Sequence, residues 1–560
     1  MNRIEYFLSE SLSEKVSSRL ASWDEHSVID RLWKKDPSVW KELPGEQSEI
    51  SNRLDWLSLP ETPIEQLEAL TAFADSVKGQ FDNVFVLGMG GSSLAPEVFA
   101  KTFGSQPGYP KLNIVDNTHP AYVRSILANY DMTRSIFLMA SKSGGTAETN
   151  SFYYVFREEL SKTINNPDSH FVALTDPGTS LSKLAADKAF LKCISTPPDV
   201  GGRYSALTPF GALPMAMIGM DVVKFFESAK ELQLQCKPGD FAINNPGAKL
   251  GAVLGELSLE GFDKVTFITS NAVSSFPQWI EQLVAESSGK ESKGILPVEG
   301  EPDVDLYTYG ADRVFVILKV AGIDEKRLHD AESVLRDAGK PVIVIELENV
   351  YGLAQEIYRW EFATAAACIV LAVNPFDQPN VQLAKSLANE SLKTYKETGK
   401  LPEEQVAVGS DGIEVLGSGL ASTVKEAFTT FLNQSQEGDY AAVLAFTPYS
   451  NDISNAVQKL KLAILKKYKI AVTSGYGPRF LHSTGQLHKG GKNDGLFIQL
   501  VDTAAPDLDV PGQGYSFGTL ITAQAQGDAK ALDDTGRRLL RLRLTGDVAA
   551  AISKLAEYVC

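Results

Sequence analysis

Four short apolar runs dominate the first half of this chain: "NVFVLG" (83–88), "KLNIVDN" (111–117), "SIFLMA" (135–140) and "HFVALTD" (170–176), with helical stretches such as "SLAPEVFAKTFG" between them. Strands apolar along both faces must be covered on both sides, and helices alternating with them supply that cover. The pattern therefore demands a parallel, doubly wound sheet. It restarts after the glycine- and proline-containing "CKPGDFAINNPGAKLG", with "KVTFITS" (264–270), "RVFVILK" (313–319) and "PVIVIEL" (341–347) as strands. "EIYRWEFATAAACIVLAV" then reads as a buried helix. A third set follows "KETGKLPEEQ", with "YAAVLAFTPY" (440–449), "KIAVTSG" (469–475) and "LFIQLVD" (496–502), closed by "DVAAAISKLAEYVC".

The fold class is thus α/β: doubly wound parallel-sheet units in tandem, a helical N-terminal segment and a third α/β unit at the C-terminus. The lead reads as helical because "DRLWKKDPSVWKEL" carries Leu32, Trp33 and Trp40 and "IEQLEALTAFADSVKG" has a helical period. The expected division is a helical segment over 1–75, a first unit over 76–235, a second over 236–400 and a C-terminal α/β domain over 401–560. A chain of 560 residues is long enough for several cores.

Charge narrows the partners. A net charge of −17 argues against nucleic acid and against an anionic membrane surface. It leaves room for an anionic small molecule held by a local cluster of cations and backbone N–H groups. Cys193, Cys236, Cys368 and Cys560 are isolated, which fits a reducing compartment. The opening "MNRIEYFLSESLSEKVSSRL" lacks the apolar core of a leader, and no apolar run is long enough to span a bilayer. The expected location is the cytoplasm.

Two loops carry hydroxyls and glycines at strand-to-helix turns. In "VFVLGMGGSSLAPEVF", Gly91 and Ser92 sit where a strand gives way to a helix, an arrangement suited to phosphate. It fails as a dinucleotide fingerprint, because Ser93 stands where the last glycine belongs. In "FLMASKSGGTAETNSF", helix capping accounts for one of Ser141, Ser143 and Thr146 and leaves the others, with Lys142, unexplained. Both loops lie at carboxyl ends of strands, where such sheets bind ligands.

Three further segments hold candidate groups. Arg203 follows Gly201 and Gly202 in "PPDVGGRYSALTPFG", and a planar, permanently charged fork there suits a developing oxyanion. Read alone, a solvated arginine on a surface loop is the favoured reading. Glu286 in "WIEQLVAESSGKESKG" could serve as a general base, although an exposed helix-end glutamate is commoner. Gln378 and Lys385 in "NPFDQPNVQLAK" share one face if a helix begins near Pro379.

Together these segments resemble one family over roughly residues 75–390: the glucose-6-phosphate (phosphoglucose) isomerases, built from sugar-isomerase (SIS) domains. "GMGGSS" corresponds to the family's glycine loop, "SKSGGTAET" to its "SKTxxTxET", "GGRYS" to "GGR[FY]S", "ESSGK" to "ESNGK" and "FDQPNVQLAK" to "FDQxGVExxK". "WKKDPSVW" and the layout resemble the isomerase portion of members fused to a transaldolase, so a functional link to a transaldolase is one expectation.

The resemblance implies a sugar-phosphate substrate and interconversion of glucose 6-phosphate and fructose 6-phosphate through a cis-enediol, without a metal or redox cofactor. Gly91, Ser92, Ser141, Lys142, Ser143, Thr146 and Gly202 would bind the substrate and its phosphate. Glu286 would move the proton between C2 and C1, and Arg203 would stabilise the enediolate. Gln378 and Lys385 would lie near the sugar ring. A homodimer is implied, with a monomer as the alternative. Two other readings are an isomerase that also accepts mannose 6-phosphate and a non-catalytic sugar-phosphate regulator. No DNA-binding segment accompanies the latter.

The sequence departs from the family pattern in three places: Ser143 replaces the usual threonine and keeps the hydroxyl, Gln382 replaces the usual glutamate, and the serious departure concerns histidine. The family's catalytic histidine lies in "GTNGQH", between the Glu286 and Lys385 segments, and usually comes from a neighbouring subunit. Here that interval holds only His329, in the polar "EKRLHDAESVLRDAG". A similar stretch, "STGQLH" within "YGPRFLHSTGQLHKGG" (476–491), makes His488 the first candidate for ring opening and His482 the second. The alternative is that both are structural loop histidines.

Overall fold

The computed structural model describes residues 1–302, 304–418, 421–503 and 505–560. Its strands form three sheets. β1 (Arg3–Phe7) stands apart in sequence from β2 (Asn83–Gly88), β3 (Lys111–Val115), β4 (Ser135–Ala140), β5 (Phe171–Thr175) and β6 (Lys192–Ser195). The second group is β7 (Lys264–Thr269), β8 (Leu296–Val298), β9 (Arg313–Val320) and β10 (Val342–Leu347). The third is β11 (Val406–Ser410), β12 (Ile413–Leu416), β13 (Tyr440–Phe446), β14 (Ala471–Tyr476), β15 (Gly495–Asp502) and β16 (Arg538–Leu544).

The sheet orders are β3-β2-β4-β5-β6, β1-β10-β9-β7-β8 and β11-β12-β16-β15-β13-β14. In each parallel set the first strand (β2, β7 or β13) has the next strand on one side, and the chain then crosses to the other. That crossing makes a topological switch point between β2 and β4, between β7 and β9, and between β13 and β15, where loops on opposite faces open a crevice. Every residue of β4 and β13 is buried, as helices on both faces require.

The lead is not wholly helical, as the sequence suggested. β1 pairs antiparallel with β10, from Arg3 opposite Glu346 to Phe7 opposite Val342, and closes an otherwise parallel sheet. Its burial is partial, as befits an edge. The third sheet also carries an antiparallel β11–β12 hairpin against β16.

The helix Leu353–Leu371 is buried along almost its whole length. It lies against the helix Pro246–Leu259, where Gly247, Gly251 and Gly255 repeat every fourth residue; added Cβ atoms there would press on Phe362, Ala366 and Val370. The lead and the first two units share one apolar core, which includes Trp56, Tyr204, Leu250 and Trp360. The third unit has its own, around Val443, Leu460 and Ile552. It joins the rest through the helix Phe517–Asp534, whose Gly527 lets the Ala388 backbone of the helix Pro379–Thr398 come close.

Among the described residues no helix is long and apolar enough to cross a membrane.

Candidate active site

The loops after β2, β4 and β6 converge at the first switch point. An added Cβ at Gly91 would overlap the Gly202 carbonyl, so the two glycine turns lie backbone to backbone and only glycine fits at 91. After β4 the chain turns through Gly144, which has φ +69°. The Ser141 and Thr146 hydroxyls lie 2.8 Å apart, and Lys142 Nζ donates to Asp176 Oδ2 at 2.7 Å and to the Pro197 carbonyl at 2.9 Å.

Thr146 is the N-cap residue of the helix Ala147–Ser161, yet its side chain makes no capping bond. Capping therefore does not explain the hydroxyl cluster. The hydroxyls of Ser141, Ser143 and Thr146 line one cavity just before that helix.

Glu286 lies in the last turn of the helix Phe276–Ser288 and is 9% exposed. Arg203 Nη1 stands 3.0 Å from its Oε1. The guanidinium is pinned by acceptors on all sides: Nε donates to Ser287 Oγ at 2.9 Å, Nη2 to the Pro375 and Asp377 carbonyls at 2.7 and 2.9 Å, and Nη1 to Gln378 Oε1 at 3.1 Å. A buried ion pair satisfied in this way holds both charges in fixed positions. Pro379 begins the helix Pro379–Thr398, with Gln378 as its N-cap and Lys385 two turns further along the same face.

All but one of the residues singled out from the sequence line a single cavity of about 350 Å³. The exception is His488, and here the sequence expectation is corrected. His488 sits in a six-residue helix, Gly485–Gly490, that turns its ring into the aromatic side chains of Tyr440, Phe480 and Phe497. Neither ring nitrogen has a hydrogen-bond partner among the described residues, and burial, reinforced by Lys489 and Arg537, pushes its pKa well below the usual histidine value. His488 is a packing residue.

His482, the second candidate, does line the cavity. Its Nε2 lies 3.0 Å from Glu148 Oε1. Burial pushes the Glu148 carboxyl up, but the facing His482 and Lys385 charges and a backbone N–H outweigh it and hold its pKa below the ordinary value. An ionised Glu148 only accepts, so Nε2 is the donor in this contact. Gln524 Nε2 donates to the same Glu148 oxygen at 2.7 Å, and Thr118 Oγ1 donates to Gln524 Oε1 at 3.0 Å.

The segment after His482 fastens the third unit to the site. Gln486 Oε1 accepts from the Asn380 N–H at 2.9 Å, and its Nε2 donates to the Gly289 carbonyl at 3.0 Å. Leu487 packs on Gly289 so closely that an added Cβ there would overlap its Cα.

A family model described as phosphoglucose isomerase matches residues 65–295. The glucose-6-phosphate isomerase of Rubrobacter xylanophilus is 30% identical over 403 residues, covering 62% of this chain and 89% of that protein. This chain belongs to the phosphoglucose isomerase family. The glucose-6-phosphate isomerase of Carboxydothermus hydrogenoformans is 27% identical over 420 residues, 64% of this chain and 90% of that one.

Solved structures agree on the fold. A hypothetical protein of Thermus thermophilus superposes with a TM-score of 0.60 at 23% identity, covering 70% of this chain and all of that one. A glucose-6-phosphate isomerase of Chlamydia trachomatis gives 0.59 at 18% identity, covering 68% of this chain and 86% of that one.

In this phosphoglucose isomerase family member, several residues of the neighbourhood lie outside the sequence reading, among them Glu148, Gln282, Gln486 and Gln524. Glu148 falls within "SKSGGTAET", but nothing in the motif alone sets it apart. Gln282 precedes Glu286 by one helical turn, a spacing that signals a shared face, and its Nε2 donates to Glu286 Oε2 at 3.0 Å. Gln524 and Gln486 carry no local signal; only the packing of the third unit reveals them.

Proposed function

We propose that this chain interconverts glucose 6-phosphate and fructose 6-phosphate by proton transfer through a cis-enediol. The observation that carries the reading is the buried Arg203–Glu286 pair, 3.0 Å apart, in the same cavity as the Ser141, Lys142, Ser143 and Thr146 loop.

In this reading the phosphate docks on Ser92, Ser141, Lys142, Ser143 and Thr146, at the N-terminus of the helix Ala147–Ser161. The sugar then extends toward Glu286. Ring opening needs one group to take the proton of the anomeric hydroxyl and another to protonate the ring oxygen. His482, its Nε2 held by Glu148, takes the first role, and Lys385 the second. Glu286 removes the proton from C2 and returns it to C1. Charge that develops on the enediolate oxygens meets Arg203, whose fixed position costs no rearrangement during the reaction. Gln378 and Gly202 border the sugar.

Fructose 6-phosphate turnover to glucose 6-phosphate by the purified chain, with EDTA present, tests this beside Glu286→Gln. The wild type should turn over, and the variant should lose kcat by about 10³-fold while still folding, at a lower thermal midpoint because Arg203 loses its buried counter-charge. A folded wild-type chain without turnover would overturn the reading.

A further inference from the structure

The phosphate end of the cavity is short of positive charge. Lys142 is already matched by Asp176 at 2.7 Å. Asp199 acts on it as well, and burial pulls the Lys142 pKa down against both carboxylates. A phosphate monoester brings a charge of about −1.5 to −2 at neutral pH. One lysine flanked by carboxylates cannot balance it, and an uncompensated anion in a partly buried site is costly.

A second cation lines the same cavity. Arg53 comes from the lead, which otherwise contributes nothing to the cavity, and lines it beside Lys142, Ser143 and Thr146. Its backbone is held: Leu54 is fully buried and bridged to Val200, and the Asp55 N–H donates to the Asp199 carbonyl at 3.2 Å. This ties Arg53 to the segment that leads into Gly201, Gly202 and Arg203. Its Nη1 donates to the Pro198 carbonyl at 3.1 Å and its Nε to Glu49 at 2.9 Å, while Nη2 has no partner among the described residues. The Glu49 side chain is 43% exposed, so solvent screens that pair. The charge of Arg53 is felt at Lys142.

We infer that Arg53 is a phosphate-binding residue, donating from its guanidinium to the substrate phosphate opposite Lys142, so that the N-terminal lead helps select phosphorylated sugars. The inference rests on the docking of phosphate at the Ser141–Thr146 loop proposed above. An arginine suits the role because its fork can grip phosphate while its remaining donors hold the protein.

The test compares the wild type with Arg53→Gln and Arg53→Lys. Loss of one charge-assisted contact should raise KM for fructose 6-phosphate about tenfold with kcat changed less than twofold. Inorganic phosphate, titrated calorimetrically, should bind Arg53→Gln about tenfold more weakly, and Arg53→Lys should recover part of the loss. Arg53 is partly exposed, so the thermal midpoints should match. Phosphate titration needs no turnover: an inactive wild type would sink the isomerase reading alone. Unchanged phosphate affinity in Arg53→Gln would overturn this inference.

Discussion

The His482 carbonyl accepts a hydrogen bond from Gln282 Nε2 at 2.8 Å, and the same nitrogen donates to Glu286 at 3.0 Å. One amide thereby ties the histidine loop of the third unit to the helix bearing the carboxylate of the second. Gly90 makes room for this: with φ +55°, it lies where an added Cβ would crowd both the His482 carbonyl at 2.7 Å and Gln282 Nε2 at 2.8 Å. Three units meet at a point that tolerates no side chain.

Arg203 holds Glu286 and in turn is held by carbonyls around Pro375 and Asp377. Arg203→Ala should remove about 3–5 kcal/mol of stability, because it strands a buried carboxylate. Urea unfolding measures this. Arg203→Lys should keep more of the stability yet lose kcat by about 10²-fold, since an ammonium cannot reach the Ser287, Pro375, Asp377 and Gln378 acceptors together.

The two histidines of the 476–491 segment should separate cleanly. His482→Gln should lower kcat about 10²-fold with little change in melting temperature. His488→Phe should leave kcat within twofold and raise the melting temperature or leave it unchanged, since an unpartnered buried polar ring gives way to an apolar one among Tyr440, Phe480 and Phe497. Steady-state kinetics beside differential scanning calorimetry reads both; an inactive but folded His488→Phe would contradict the assignment.

Glu148 sets a pH dependence. Its folded pKa lies below the ordinary value, because His482, Lys385 and a backbone N–H outweigh the opposing effect of burial. A depressed carboxylate stabilises the fold fully above its unfolded pKa, about 4.3, and loses that contribution as pH falls through the lower folded value. The stability gap between wild type and Glu148→Gln should therefore stay constant from neutral pH down to about pH 5 and close below about pH 4.3. Denaturant midpoints across that range check it.

The strands that the sequence revealed are those whose runs are apolar without interruption. β2 and β4 match "NVFVLG" and "SIFLMA" residue for residue, because both faces are covered. β1, "RIEYF", and β6, "KCIS", escape such a reading because edge strands keep charged or polar residues where no helix covers them. The site was legible where it follows local motifs: the hydroxyl loop, the arginine after two glycines and the helix-end glutamate. The histidine was not. "STGQLH" resembles the family motif in letters, but a single helical turn decides which ring faces the cavity and which faces Phe497. Gln486 and Gln524 act across units, and no local pattern marks such partners.

The pairing of β1 with β10 has a consequence for the order in which the molecule is assembled. The Met1 ammonium meets the Glu348 carboxylate 347 positions away, at the end of the same pairing. At ribosomal rates of about 5–20 residues per second, β1 waits roughly 20 to 70 s for its neighbour to emerge. During that interval its backbone groups have no partner strand. The second sheet is thus closed by a segment made long before its neighbour, and a nascent chain stalled before β10 would leave that segment open to capture by a chaperone or by another nascent chain.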